Sequence, residues 1–273
     1  MKNQRIYLYE DSKDVYIDAY ICEKVDYYKR KAILVIPGGG YNIVCSDREG
    51  YMVANAFIPY GYNAFVLNYS VARKRVYPAQ LIEASLAIKH IRDNAEEYGI
   101  DPEKVFATGF SAGGHLCAAL GTMWYREEVL KAIPDMEYGY NKPTAIMPIY
   151  PVISGTDHPH IGSFQNLLGK DEPTKEELEY VSAERCVDEK SAPAFIAHSA
   201  PDTCVPVQNS IVFANAYANA KIPFTLHIFP NGPHGMALGT KLTSCGYKEM
   251  EQPDFAKWVE MAVDWAEMIC DNR

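Results

Sequence analysis

The sequence predicts an open, mostly parallel α/β sheet that begins with an antiparallel hairpin and carries helices on both faces. Two observations predict it. Short continuous apolar runs suit strands buried on both sides, and amphipathic helical patterns separate most of those runs over more than two hundred residues. A third confines the hairpin to the start, where apolar and polar residues strictly alternate.

Taken in order, Ile6 and Leu8, then Val15, Ile17, Ala19 and Ile21, alternate with polar neighbours around Glu10-Asp11-Ser12-Lys13-Asp14, which reads as a hairpin. The continuous runs follow: Ala32 to Ile36, Ala64 to Leu67, Val105 to Thr108, Ala145 to Ile149, Ala194 to Ala197 and Phe224 to Phe229. Ser46-Asp47-Arg48-Glu49 has capping-box form and predicts a helix opening at Ser46. Leu81, Ala84, Ile88, Ile91 and Ala95 keep helical spacing between Pro78 and Gly99, with the glycine placed as a C-terminal cap. A later helix has Ile211, Ala214 and Tyr217 on its expected inward face, and Phe255, Trp258, Ala262, Trp265 and Ile269 mark a last helix after Pro253. Residues 151 to 192, rich in Pro, Gly, His and charge, interrupt the alternation and read as an insertion over the site within a single domain spanning 1–273.

Composition narrows the function classes. Hydrophobic residues at 48% and charged residues at 22% describe an ordinary globular chain. A net charge of −9, with no basic run beyond Arg73-Lys74-Arg75, argues against a nucleic-acid or anionic-membrane face. The start lacks a signal-like apolar stretch and no segment reaches membrane-spanning length, so a cytoplasmic protein is expected. Seven cysteines without CxxC spacing predict reduced, mostly buried thiols rather than a disulfide framework.

Chemistry concentrates after the strands, where open α/β sheets bind ligands. Val105 to Thr108 runs into Gly109-Phe110-Ser111-Ala112-Gly113-Gly114-His115, a G-x-S-x-G turn between strand and helix. Such a turn exposes the Ser111 hydroxyl at a helix N-terminus, with the Ala112 amide beside it. Ala32 to Ile36 ends in Pro37-Gly38-Gly39-Gly40-Tyr41, whose bare amides can approach developing negative charge; the run lacks the spacing of a nucleotide-phosphate loop. Serine needs a base, and the base needs a carboxylate to hold its tautomer. Of seven histidines, His234 stands in the loop Pro230-Asn231-Gly232-Pro233-His234-Gly235-Met236 after the last strand, where an imidazole has freedom to turn toward the nucleophile. His90, His115, His198 and His227 sit in or beside helices and strands and read as structural. The acid should lie between nucleophile and base in chain order; Asp202 follows the strand Ala194 to Ala197, with turn capping as its plain alternative and Asp188 as the fallback. His158, His160 and Asp157 lack a third histidine at useful spacing, so no metal is expected. Cys45, Cys117 and Cys204 have no neighbouring base in sequence. Tyr41, Tyr69, Trp124 and Tyr150 suit either a sugar-stacking pocket or plain core packing.

With these residues assembled, the chain resembles, over nearly its full length, the small bacterial acetyl esterases of the α/β-hydrolase class, including acetyl xylan esterases and bifunctional feruloyl/acetyl xylan esterases. The block from Asp101-Pro102-Glu103-Lys104-Val105 through the serine turn looks like that family's most specific stretch, and Pro37-Gly38-Gly39-Gly40-Tyr41 looks like its glycine loop. The resemblance implies a Ser111, Asp202, His234 triad, oxyanion amides from Gly39, Gly40 and Ala112, and no cofactor. It also implies a small-molecule ester substrate, with acetyl groups on xylo-oligosaccharides favoured. An arylformamidase and a prolyl-oligopeptidase-like peptidase share the triad order, and a non-catalytic binding protein shares the fold class. A homo-oligomer is left open.

Overall fold

The computed structural model describes residues 1–271. In chain order the elements are β1 (Lys2–Tyr7), β2 (Tyr16–Ile21), β3 (Arg30–Ile36), α1 (Ser46–Glu49), α2 (Tyr51–Phe57), β4 (Tyr62–Asn68), α3 (Ala79–Asp93), α4 (Ala95–Tyr98) and β5 (Ile100–Phe110). They continue with α5 (Ser111–Thr122), α6 (Glu127–Ala132), β6 (Ile146–Ile149), α7 (Ile161–Leu168), α8 (Lys175–Val181), β7 (Ala194–Ser199), α9 (Gln208–Ala220), β8 (Phe224–Phe229) and α10 (Trp258–Asp271). The strands form one eight-stranded sheet in the order β1-β2-β4-β3-β5-β6-β7-β8. β1 and β2 pair antiparallel, β2 and β4 pair antiparallel, and every pairing from β4 to β8 is parallel.

Side-chain alternation along the strands builds two cores. Ala32, Leu34 and Ile36 of β3 join Leu81 and Ile88 of α3, Leu116 of α5 and Phe213 of α9 on one face. Ile33 and Val35 meet Val53 and Phe57 of α2 and Trp258 and Trp265 of α10 on the other. Each such aliphatic side chain, fully removed from water, contributes roughly 1.5–3 kcal/mol. The hairpin strand β2 buries only alternate residues, Ile17, Ala19 and Ile21, as its sequence pattern predicts.

Several local expectations give way to tertiary contacts. The helix expected through Ala95 stops at Asp93, where the Asn94 side-chain carboxamide also donates to the His90 carbonyl at 2.8 Å; Gly99, at φ 61°, then caps the short α4. β8 is an edge strand, so most of its run is only half-buried rather than enclosed on both faces. In α9 the inward face is Ser210, Phe213, Ala214 and Tyr217, while Ile211 is 45% exposed. Among the seven cysteines, all free, only Cys117 is buried and Cys204 and Cys245 are exposed, against the expectation of mostly buried thiols. Ser46 begins a helix but forms no capping box, since its partner Glu49 is drawn into the interior.

Residues 151 to 192 contain α7 and α8 and are tied to the body. Thr174 and Glu177 form a reciprocal capping box at the start of α8. The buried Asn209 carboxamide accepts from the amides of Ile153 and Ser154 and donates to the His158 carbonyl. Among the described residues, no helix is long and apolar enough to cross a membrane.

Candidate active site

The turn from β5 into α5 sets the serine. Ser111 has φ 54°, a left-handed conformation that side chains other than glycine rarely adopt. The flanking glycines explain how the chain accommodates it. A Cβ at Gly109 would lie 2.2 Å from the Gly113 carbonyl oxygen, and one at Gly113 would lie 2.2 Å from that of Ile36. Neither position has room for a side chain, and the missing atoms let α5 rest directly on the end of β3.

His234 reaches this serine from the loop after β8. Its Nε2 is 2.9 Å from Ser111 Oγ, and its Nδ1 is 2.6 Å from Asp202 Oδ2. The loop is pinned rather than free to swing: Ser199 donates to the Asn231 carbonyl, and beyond the histidine the Ala237 amide donates to Tyr150 while its carbonyl accepts from Trp258. The Tyr150 ring stands edge-on against the imidazole at 5.0 Å between centroids.

Asp202 makes contacts of both kinds, to its own turn and to His234. Oδ1 accepts from the amides of Cys204 and Val205, at 2.9 Å each, which caps the turn after β7, while Oδ2 faces His234. Burial opposes its ionisation, yet hydrogen bonds from His198 and His234 and from the Val205 amide overcome that penalty and hold the carboxyl well below the usual carboxylate range. A carboxylate accepts only, so it selects the Nδ1–H tautomer of His234 and leaves Nε2 to accept the serine proton.

The glycine loop lies against Ser111. A Cβ at Gly38 would sit 2.9 Å from Ser111 Cβ, and Gly39 and Gly40 adopt φ 126° and 63°. The amides of Gly39, Gly40 and Ala112 meet no acceptor among the described residues, so they are available to a developing anion. From α7, Asn166 donates to the Gly40 carbonyl at 2.9 Å, and Ser163 Oγ lies 3.9 Å from where a Gly40 Cβ would be. His160 bonds Ser163 at 2.8 Å, and burial followed by the nearby His234 depresses its imidazole below the ordinary range.

The remaining candidates stand outside the Ser111, His234 and Asp202 cluster or only pack against it. Asp188 accepts from Tyr125 and takes no part in the cluster. His90 bonds Tyr98, His227 packs on Phe195, and His158 stands 3.5 Å from Asp157 on the surface. His198 packs beneath Asp202, bonded to Ser210 and the Val205 carbonyl. Tyr41, Tyr69, Trp124 and Tyr150 are core residues with bonded polar tips rather than a stacking surface. Sequence reasoning missed Glu49, whose carboxylate accepts from the Gly38 amide at 2.7 Å and from the Tyr150 hydroxyl at 3.0 Å. Its capping-box pattern pointed to the helix end instead.

His115 braces the same helix. It is 1% exposed, with Nδ1 at 2.8 Å from the Tyr41 hydroxyl and Nε2 at 2.7 Å from the Val181 carbonyl. Burial pushes its imidazole down to about 4, so the folded protein resists a proton that the unfolded chain accepts near the ordinary value. The His115 contribution is therefore fully present at neutral pH and lost as pH falls from about 6.5 toward 4, by about 3 kcal/mol in all. Denaturant unfolding of wild type and His115→Gln between pH 7 and pH 4.5 checks this: the acid-side slope should be smaller in the variant, and equal slopes would refute the assignment.

The BD-FAE family description matches residues 17–217. Endo-1,4-beta-xylanase B of Butyrivibrio fibrisolvens is 40% identical over 216 residues, covering 78% of this chain and 33% of that protein. An acetylxylan esterase of Xylanibacter ruminicola is 31% identical over 235 residues, covering 84% and 45%. The chain thus spans a third to under half of the length of these relatives. The crystal structure of an acetyl ester-xyloside bifunctional hydrolase from Caldicellulosiruptor lactoaceticus superposes with a TM-score of 0.82 at 31% identity, covering 97% of this chain and 96% of that one.

Proposed function

The chain belongs to the BD-FAE family and has the α/β-hydrolase fold, and on that premise we propose that it is a serine carboxylic ester hydrolase acting on short acyl esters, acetyl groups on xylo-oligosaccharides foremost. The observation that carries this reading is the unbroken chain of hydrogen bonds from Ser111 Oγ through the His234 ring to Asp202. In it, Ser111 Oγ attacks the ester carbonyl as His234 Nε2 takes the hydroxyl proton. Asp202 stabilises the resulting imidazolium without taking a proton itself. The carbonyl oxygen gains the negative charge and is held by the amides of Gly39, Gly40 and Ala112. Collapse of the tetrahedral intermediate breaks the bond to the alcohol, which leaves with the proton from His234. Water, deprotonated by His234, then attacks the acyl-serine and releases the acid.

Residues 151 to 192 act in this reading as the cap over the acyl side of the site. Support comes from α7, which brings Asn166 and Ser163 onto Gly40 beside the glycine loop. The names of the acetylxylan esterase and of the acetyl ester-xyloside hydrolase support the sugar ester as substrate class.

Hydrolysis of acetylated xylo-oligosaccharides, followed by mass spectrometry, tests the substrate class alongside a panel of p-nitrophenyl esters, aminoacyl amides and N-formylkynurenine. Acetate release should dominate, and kcat/KM should fall by about tenfold or more from acetyl to octanoyl esters, as expected when excess methylenes meet a closed pocket. Faster cleavage of the amides or of the N-formyl compound would overturn it.

A further inference from the structure

Beside the triad lies a second buried carboxylate that the reaction just described does not use. Glu49 is 2% exposed, and its side chain crosses from α1 into the space between the glycine loop and the histidine loop. Oε2 accepts from the Gly38 amide at 2.7 Å, and Oε1 accepts from the Tyr150 hydroxyl at 3.0 Å. The Tyr150 oxygen in turn accepts from the Ala237 amide at 2.8 Å, while its ring presses on His234. A Cβ at Gly38 would fall 2.8 Å from Glu49 Oε2 and 2.9 Å from Ser111 Cβ, so this glycine admits the carboxylate and the nucleophile together.

We propose that Glu49 is a positioning residue for catalysis, a buried clamp that joins the glycine loop to the histidine loop so that the oxyanion amides and the base are aligned on Ser111 by one side chain. This rests on the esterase reading for its kinetic part only.

The hydrogen-bond inventory explains why a carboxylate occupies the position. The Gly38 amide can only donate. The Tyr150 oxygen already accepts from Ala237, which directs its single proton to Glu49. Both carboxylate oxygens are thus acceptors, a demand that an ionised carboxyl meets and a carboxamide, with one acceptor oxygen, does not. Burial pushes the Glu49 carboxyl above its usual range, while the Gly38 amide, the His234 and Arg48 charges and the Tyr150 hydroxyl pull it back. The Glu49 charge repels an oxyanion and attracts the imidazolium formed in the same step, so the gain comes from alignment rather than from a direct contact with substrate. The Gly38 amide is taken by Glu49, whereas the next two amides of the loop meet no acceptor among the described residues.

The test uses the full chain with Glu49→Gln, a substitution of the same shape, and Tyr150→Phe, which keeps the ring on His234 and removes the hydroxyl link. Glu49→Gln should lower kcat on p-nitrophenyl acetate by about 30-fold, somewhat less than outright loss of an oxyanion donor, with KM changed by less than about threefold. Affinity for a trifluoromethyl ketone, which mimics the tetrahedral intermediate, should fall in parallel. The double variant should lose less than the product of the single losses, since both cut the same chain. The amide proton of Gly38, bonded to a charged acceptor, should resonate downfield and move upfield in Glu49→Gln. Wild-type kcat and inhibitor affinity in Glu49→Gln would overturn the proposal, as would a lowered melting temperature with unchanged turnover per labelled serine. Should Glu49→Gln fail to fold, Tyr150→Phe decides: unchanged kcat and an unmoved Gly38 signal count against the clamp. A wild-type protein that hydrolysed no ester would defeat the esterase reading, whereas the Gly38 shift would still establish the clamp.

Discussion

Ser111→Ala is expected to lower kcat on acetyl esters by at least about four orders of magnitude while the protein stays folded. The size follows from the role: without Oγ no acyl-serine forms, and only binding and the oxyanion amides remain to assist water. The fold survives because alanine removes one atom and one hydrogen bond, a change of about 1 kcal/mol, and leaves the steric relief at Gly109 and Gly113 untouched. Steady-state kinetics together with circular dichroism checks it. Activity within about tenfold of wild type would show that the nucleophile lies elsewhere.

Asp202→Asn should cost about as much, roughly four orders of magnitude in kcat, for a reason local to this turn. The amides of Cys204 and Val205 both donate to Oδ1. In the variant the carboxamide oxygen has to take that place, which turns its NH2 group toward His234 Nδ1. The imidazole then accepts at Nδ1 and carries its proton on Nε2, pointing a hydrogen at a serine whose proton it should receive. The NH2 group also faces His198 Nε2, which stands 3.4 Å from Oδ2. A variant that kept kcat within about tenfold of wild type would mean that His234 needs no carboxylate to set its tautomer. Because Asp202 also caps its turn, melting temperature should be followed in parallel, to separate the kinetic loss from any loss of folded protein.

Much of the architecture can be read from residue patterns that act locally. Continuous apolar runs place the strands of the parallel part, and alternation at Ile17, Ala19 and Ile21 places the hairpin. The serine turn is legible because its steric requirements fall on adjacent residues, Gly109 and Gly113 around Ser111. His234 and Asp202 are legible by their places just after strands, although nothing in one sequence measures the 2.6 and 2.9 Å that bring them together.

What escapes pattern reading is decided by contacts between distant segments. Glu49 has the spacing of a capping residue, and only the approach of Gly38 and Tyr150 redirects it inward. Ile211 suits an inward helix face by its apolar character, but the rotation of α9 is set by Phe213 and Tyr217, larger residues that occupy the core. β8 has the composition of an enclosed strand and sits at the edge because topology places it last. In residues 151 to 192 the Thr174-Lys175-Glu176-Glu177 pattern does mark a helix start, a local signal easily lost among the surrounding prolines and charges.

The central claim, that Ser111 carries the acyl group between two half-reactions, is tested most directly by quenching the protein in acid during turnover of p-nitrophenyl acetate and mapping its peptides by mass. A single acetyl group on the peptide containing Ser111, absent from Ser111→Ala and from His234→Ala, is the predicted result. An acetyl group on any other residue, or full turnover in either variant, would contradict it.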